Sequence, residues 1–352
     1  MERREDAWAR NGLTAGGTAV EPFSLLVKPC GADCNLACEY CFYRDHAPGR
    51  MSPATLERML SSYCALPFDG KSVTFQGGEP TLAGLGFFRQ AAGFGAEFSI
   101  QTNGTLLTDE WAEFLASNRW LAGVSLDGPQ PVHDRFRGEH AATVAGIRML
   151  ERAGADYNLL TVVSQSNVGD PVGTYLYLRD NFSTRFHQYI ECTGPCREIT
   201  ADQWGAFLCG LFDEWAKRDT RTVSVRLFDS IVAQMVVGRP TLCSSAASCR
   251  QYLVVEHDGS VYPCDFHVRE DLRLGNVMTD SWEAMLSSAK YAEFARRKLA
   301  DLQGACVGCR HYRWCHGDCP RNRRGGRPVL CAGWKRFFDH AIPVLQKIVA
   351  KL

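Results

Sequence analysis

Three cysteines stand within eight residues, in Cys34-Asn-Leu-Ala-Cys38-Glu-Tyr-Cys41. A [4Fe-4S] cube normally takes four cysteine ligands, so three thiolates leave one iron open to bind and activate another molecule. A catalytic zinc follows the same logic, with chemistry at its unfilled coordination position. The alternative is a zinc knuckle completed by a distant ligand such as Cys30 or His46. A second group reads Cys249-x9-Gly259-x4-Cys264, then Cys306-x2-Cys309-x5-Cys315-x3-Cys319, then Cys331, with Cys243 six residues before Cys249. By spacing, Cys306 to Cys319 could form one structural zinc site. The eight cysteines together suffice for two fully ligated four-iron clusters.

The rest of the composition narrows the setting. The 352 residues suit two domains, or one large barrel with an extension. Residues 1–20 are charged and Gly/Ala-rich with no apolar core, which reads as a flexible tail and not a secretory signal. Without export, clustered cysteines among the sixteen in the chain bind metal or do redox work in a cytoplasmic protein. Lys+Arg and Asp+Glu both number 39, against a nucleic-acid binder. No apolar run approaches the roughly 18 residues of a membrane span. Cys30, Cys64, Cys192, Cys196 and Cys209 are left over and read as packing residues. The run Arg321–Arg327 is a solvated surface or a dock for an acidic partner.

These residues need elements to position them. Candidate strands are Phe23–Lys28, Lys71–Phe75, Glu97–Thr102, Leu121–Leu126, Tyr157–Val163 and Arg185–Ile190. Helical patterns fall between them at Pro53–Tyr63, Leu82–Ala92, Asp109–Ser117, Ala141–Ala153 and Pro171–Arg179, with Ser52 and Thr108 as start signals. Six strand–helix units in series imply an α/β fold, a parallel sheet forming a partial (β/α)6 TIM-like barrel over 21–225. Ligands of such sheets collect at the carboxyl ends of the strands. The cysteine trio, Gly77-Gly78-Glu79-Pro80, Asn103-Gly104 and Asp127-Gly128-Pro129 follow strands one to four, so four loops share one mouth. An amphipathic helix over 201–217 packs on the barrel. Residues 226–335 form a second, cysteine-rich domain, and 336–352 a C-terminal helix.

The trio, with Tyr40 before its last cysteine, resembles the signature of radical S-adenosylmethionine (radical SAM) enzymes, and Gly77–Pro80 resembles their GGEP motif. The resemblance implies that Cys34, Cys38 and Cys41 hold a [4Fe-4S] cluster whose open iron is chelated by S-adenosylmethionine. It places the cofactor against Tyr40, Gln76, Gly77, Gly78 and Glu79, with its carboxylate held at Ser125 and Arg137. The later cysteines resemble the SPASM extension. That likeness assigns Cys243, Cys249, Cys264 and Cys319 to auxiliary cluster I, and Cys306, Cys309, Cys315 and Cys331 to auxiliary cluster II, three clusters in all.

The motifs Phe75–Gly84, Gln101–Gly104, Ser125–Pro129 and Asp258–Phe266 are together similar to anaerobic sulfatase-maturating enzymes. Members oxidise a Ser or Cys of a sulfatase polypeptide, in a C/S-x-P/A-x-R context, to Cα-formylglycine. The reaction needs a base for the heteroatom proton. Asp265 matches the family's base, with His267 as the fallback. It also needs an external electron donor such as flavodoxin or ferredoxin. One rival is a SPASM enzyme that crosslinks a ribosomal peptide; the short N-terminal tail leaves no room for the recognition domain that reading favours. The other rival is a zinc-stabilised binding protein.

Overall fold

The structure is a computed structural model describing residues 20–193, 198–302 and 304–351. Its frame is a run of parallel strands: β1 (Ser24–Val27), β2 (Ser72–Phe75), β3 (Glu97–Thr102), β4 (Leu121–Ser125), β5 (Tyr157–Val163) and β6 (Phe186–Glu191). They lie side by side in chain order, with β7 (Ser224–Val225) beyond β6. The register stacks Leu25 beside Val73, Val73 beside Phe98 and Val124 beside Leu159. Runs of this kind are apolar because helices cover the sheet.

The helices begin where their caps predict. Ser52 accepts the Thr55 amide at 3.0 Å and opens Pro53–Cys64, and Thr108 accepts that of Trp111 at 3.3 Å and opens Asp109–Ser117. The helix expected over 82–92 is instead a 3₁₀ turn, Pro80–Ala83, followed by Leu85–Ala91. Gly84, at φ +80°, breaks the two apart. Phe75, Phe88, Phe98, Trp111 and Trp120 form the aromatic core here, with the Phe98 and Trp120 rings stacked at 4.6 Å. Large rings carry most of the buried apolar area of such a core.

The cysteine-rich region adds to this sheet. β8 (Tyr252–Val255) pairs in parallel with the free edge of β1, in register Leu25–Leu253 and Val27–Val255. β9 (Ser260–Tyr262) and β10 (Gly275–Asn276) continue the sheet antiparallel. Val254, Val255 and Val261 are fully buried as a result. Beyond β9 the chain reaches Cys264 and Asp265, and the Asp265 carboxylate comes within 3.8 Å of Lys28, the residue after β1.

The helix Ala201–Arg218 buries Trp204, Phe207, Leu208, Leu211, Phe212 and Trp215. A terminal helix, Cys331–Val349, lies across it and starts five residues before the 336 expected from the sequence. A Cβ at Gly333 would overlap the Ala201 carbonyl, so glycine permits the close crossing. That crossing fixes Cys331, the first residue of the helix. No helix among the described residues is long and apolar enough to cross a membrane.

Candidate functional site

One buried carboxylate ties the second and third of the four loops predicted to share a mouth, and the Glu79 amide donates to the Asp33 carbonyl of the cysteine loop. Glu79 is fully buried; its Oε1 accepts from the Thr81 amide (3.1 Å) and hydroxyl (2.7 Å) and the Thr102 hydroxyl (2.7 Å), and its Oε2 from the Asn103 amide (2.8 Å). Burial pushes its pKa up despite those donors. With the carboxylate committed inside the protein, the loop turns backbone toward the mouth. Gly77 (φ +114°) and Gly78 (φ +52°) supply that backbone. A Cβ at Gly78 would overlap the Asp33 carbonyl, so the GGEP loop and the cysteine loop meet without side chains between them.

Cys34, Cys38 and Cys41 lie within electrostatic range of one another, and burial raises the first two thiols. The Leu36 amide points to Cys34 Sγ at 3.4 Å and the Asn103 amide nitrogen at 3.9 Å. Donors of this kind stabilise thiolate over thiol, as a metal ligand requires. Tyr40 extends from the same loop and donates to Asp127, whose Oδ2 also takes the Arg137 Nε–H at 3.2 Å. The Arg137 guanidinium stands 5.4 Å from the centre of the Tyr40 ring. Asp127 Oδ1 accepts the Val162 amide of β5 at 2.9 Å. Asp127 thus orients Tyr40 and Arg137, a role the sequence did not disclose. Ser125 is buried at the end of β4, and Gln76 continues the ladder of β2. His133 Nδ1 accepts the Asp127 amide at 3.2 Å while Nε2 faces the Gly138 carbonyl at 3.1 Å.

The later cysteines gather in the two expected groups. Cys306, Cys309, Cys315 and Cys331 line one cavity with His311, Arg327 and Trp334. Cys319 lies within electrostatic range of both Cys243 and Cys264, and Cys243 of Cys249. Burial pushes Cys315 up to about 11 and Cys319 up to about 12. These thiols would give up their protons to solvent only as a metal takes their place on sulfur, so ligation and ordering are linked. Lys298, fully buried, donates to the Cys243 and Ser244 carbonyls at 2.9 and 2.7 Å. Its charge beside Cys243, Cys249 and Cys319 suits an anionic cluster. Thiols in sets of four are the donor chemistry that iron–sulfur clusters take. Every described cysteine is a free thiol; Cys196 lies outside the described residues.

Asp265 is buried at the seam between the two regions. Its Oδ1 accepts from the Tyr252 hydroxyl at 2.9 Å, and Oδ2 lies 3.8 Å from Lys28 Nζ. His267, further along the same turn, packs its ring 5.4 Å from that of Phe294 and is held below its ordinary pKa by burial. A second bridge joins β6 to the cysteine-rich region. Asn322 Nδ2 donates to Glu191 at 2.8 Å and faces Asp318 at 3.5 Å. Burial, then the Asp318 charge, pushes Glu191 up to about 8. Arg321 stacks on Phe266 at 4.0 Å and on Phe42 at 4.8 Å, clamping the residue after Cys41 to the one after Asp265. Tyr43, Glu191 and Phe42 escaped notice, and the roles of Lys28 and Asp127 with them, because their partners are distant in sequence.

Residues 29–178 match the model of the radical SAM superfamily, and 243–319 that of an iron-sulfur cluster-binding domain. The chain is 32% identical, over 93% of its length, to the serine-type anaerobic sulfatase-maturating enzyme of Bacteroides thetaiotaomicron, and spans 91% of that protein. It is also 32% identical over 93% of its length to the cysteine-type enzyme of Clostridium perfringens, spanning 98% of it. A solved structure, native anSMEcpe with bound AdoMet and Cp18Cys peptide, superposes with a TM-score of 0.88 at 31% identity, covering 94% of this chain and 99% of that one. Streptococcus suis SuiB shares the fold, with a TM-score of 0.68 at 15% identity. By these likenesses the chain is an oxidoreductase that uses S-adenosylmethionine and iron–sulfur clusters, and it belongs to the family of anaerobic sulfatase-maturating enzymes.

Proposed function

We propose that the protein oxidises a serine or cysteine side chain of a sulfatase polypeptide to Cα-formylglycine. The observation that carries this reading is Asp265. It is a buried carboxylate beside Cys264, 3.8 Å from Lys28, the residue after the strand that leads into the cysteine loop. Bound S-adenosylmethionine and the clusters would supply a hydrogen-atom abstractor at the substrate Cβ and a sink for one electron. The protein's part is to position and deprotonate. Asp265 takes the proton from the substrate oxygen or sulfur, Tyr252 and Lys28 hold its carboxylate, and the glycine loop, Asp127, Tyr40 and Arg137 shape the cofactor mouth. A serine then becomes the aldehyde by loss of two hydrogens in all. A cysteine becomes a thioaldehyde, which exchanges sulfur for a water oxygen and releases hydrogen sulfide.

We assign three [4Fe-4S] clusters, to Cys34/Cys38/Cys41, Cys243/Cys249/Cys264/Cys319 and Cys306/Cys309/Cys315/Cys331. An acidic electron carrier of the flavodoxin or ferredoxin class is the natural redox partner. Residues 304–340 hold eight Lys and Arg against two Asp, while the whole chain balances at 39 and 39. Arg313, Arg324 and Arg327 of that stretch are exposed, and Arg327 and Lys335 line the cavity of the last cysteine set. Free thiols among the described cysteines suit a reducing compartment, the cytoplasm.

An anaerobic assay tests the reading, with S-adenosylmethionine, reductant and paired peptides bearing Ser-x-Pro-x-Arg or Cys-x-Pro-x-Arg, followed by mass spectrometry. An aldehyde at Ser or Cys is the expected product. Cofactor cleavage with both peptides untouched would overturn it in favour of a ribosomal peptide substrate.

A further inference from the structure

Lys28 is the residue after β1, and its side chain is fully buried. Among the described residues its ammonium has no hydrogen-bond partner. A buried cation without a direct hydrogen bond is expensive and uncommon. Its surroundings are specific. Nζ stands 4.4 Å from the centre of the Tyr43 ring and 3.8 Å from Asp265 Oδ2. Tyr43 in turn donates to both oxygens of Glu256, at 2.5 and 2.6 Å. The methylene stem has a separate job: a Cβ at Gly77 would overlap Lys28 Cδ, so the glycine loop rests directly on the stem.

We infer that Lys28 is a positioning residue with two separable parts. The stem supports the Gly77–Gly78 backbone that receives S-adenosylmethionine, and the ammonium sets where the Asp265 carboxylate stands relative to that loop. One side chain thereby fixes the distance between the hydrogen-abstracting cofactor and the proton-accepting base. Two reacting centres must be held in register for a combined hydrogen-atom and proton removal, and displacement of about 1 Å can cost a hundredfold. A cation present only to balance Glu256 and Asp265 would need neither contact with Gly77 nor aim at one oxygen of Asp265. The inference rests on the oxidation proposed above.

Two substitutions in the full-length, cluster-loaded protein separate the parts. Lys28→Met keeps the stem and removes the charge. It should bind S-adenosylmethionine within twofold of wild type and still form 5′-deoxyadenosine, while aldehyde formed per deoxyadenosine falls tenfold or more. Lys28→Ala also removes the stem and should in addition weaken S-adenosylmethionine binding fivefold or more, measured by equilibrium dialysis. Iron content and circular dichroism confirm that each variant is folded and loaded. Wild-type coupling in Lys28→Met would overturn the role of the ammonium, and equal cofactor affinity in the Met and Ala variants would overturn that of the stem. If wild type itself makes no aldehyde from either peptide, the sulfatase reading fails, whereas the affinity comparison still decides the stem.

Discussion

The cysteine loop at 34–41 and the cysteines from 243 to 331 hold metal on opposite structural terms. The first set is local. Its three thiols sit on a loop between β1 and the helix at 53–64, braced by Tyr40–Asp127 and by Asn103 from neighbouring strand ends. The second set is spread over a long stretch of 3₁₀ turns, two-residue strands and helices as short as four residues. Its bracing is largely polar: Arg323 alone donates to the carbonyls of Gly317, Lys298 and Asp318 at 2.6–2.8 Å. A packed barrel can place ligands in advance of the metal, whereas the short turns that carry the later cysteines, outside the buried β8–β9 pair, take much of their order from the metal itself.

The largest test of that difference is iron removal by an anaerobic chelator. Amide protection should collapse across the cysteine-bearing turns at 243–250 and 304–330 while β2 to β5 and the buried β8–β9 pair stay protected; uniform loss or uniform survival would erase the distinction. Single ligands sharpen it. Cys38→Ala should abolish S-adenosylmethionine cleavage yet keep about eight of roughly twelve irons and near-normal solubility. Cys319→Ala should lose about four irons and precipitate more readily, because an emptied set leaves buried thiols and Lys298 without a counter-charge. An unchanged iron count in Cys319→Ala would remove it from the ligand set.

Next in size is the seam where the regions meet. Asp265→Asn should leave cofactor cleavage intact and cut aldehyde yield by about a hundredfold, the scale of a lost general base. Asp127→Asn acts inside the barrel. It weakens the hold on Tyr40 and Arg137, and should raise the S-adenosylmethionine Kd about tenfold without changing iron content. Loss of auxiliary iron in that variant would show the two regions to be less independent than the contacts indicate.

The same division governs what the sequence makes legible. Glu97–Thr102 alternates between buried and more open positions and Tyr157–Val163 is a largely buried apolar run, so both are found to the residue. Thiol spacing announces metal because few other functions need so many cysteines so close. The β8–β1 pairing is illegible, since four residues of Tyr252–Val255 carry no mark of which strand they join. Lys28 and Asp127 lie inside motifs visible in the sequence, but their roles depend on partners at strand ends far away in the chain. Glu79 shows the reverse limit. Its motif is plain, yet only the fold reveals that its carboxylate binds four donors of the protein itself.

The smallest expected effect concerns the barrel alone. Burial pushes the pKa of His133 down to about 4 from the ordinary 6.5. Its Nδ1 is the acceptor for the Asp127 amide, so the ring must be neutral with its proton on Nε2. A lowered pKa in the folded state means that the unfolded chain binds more protons between pH 6.5 and 4, so stability falls as pH drops through that window. The loss should be about 1.4 kcal/mol between pH 7.5 and 5.5, growing toward about 3 kcal/mol near pH 4. His133→Asn keeps an acceptor for the Asp127 amide and removes the titration. It should cost about 1 kcal/mol at pH 7.5 and flatten the dependence on the acid side. Because the effect lives in the barrel, urea melts of the iron-free protein, followed by fluorescence of Trp111 and Trp120, should show it as clearly as the loaded enzyme does. A slope that appears only with the clusters bound would move its origin to the cysteine-rich region.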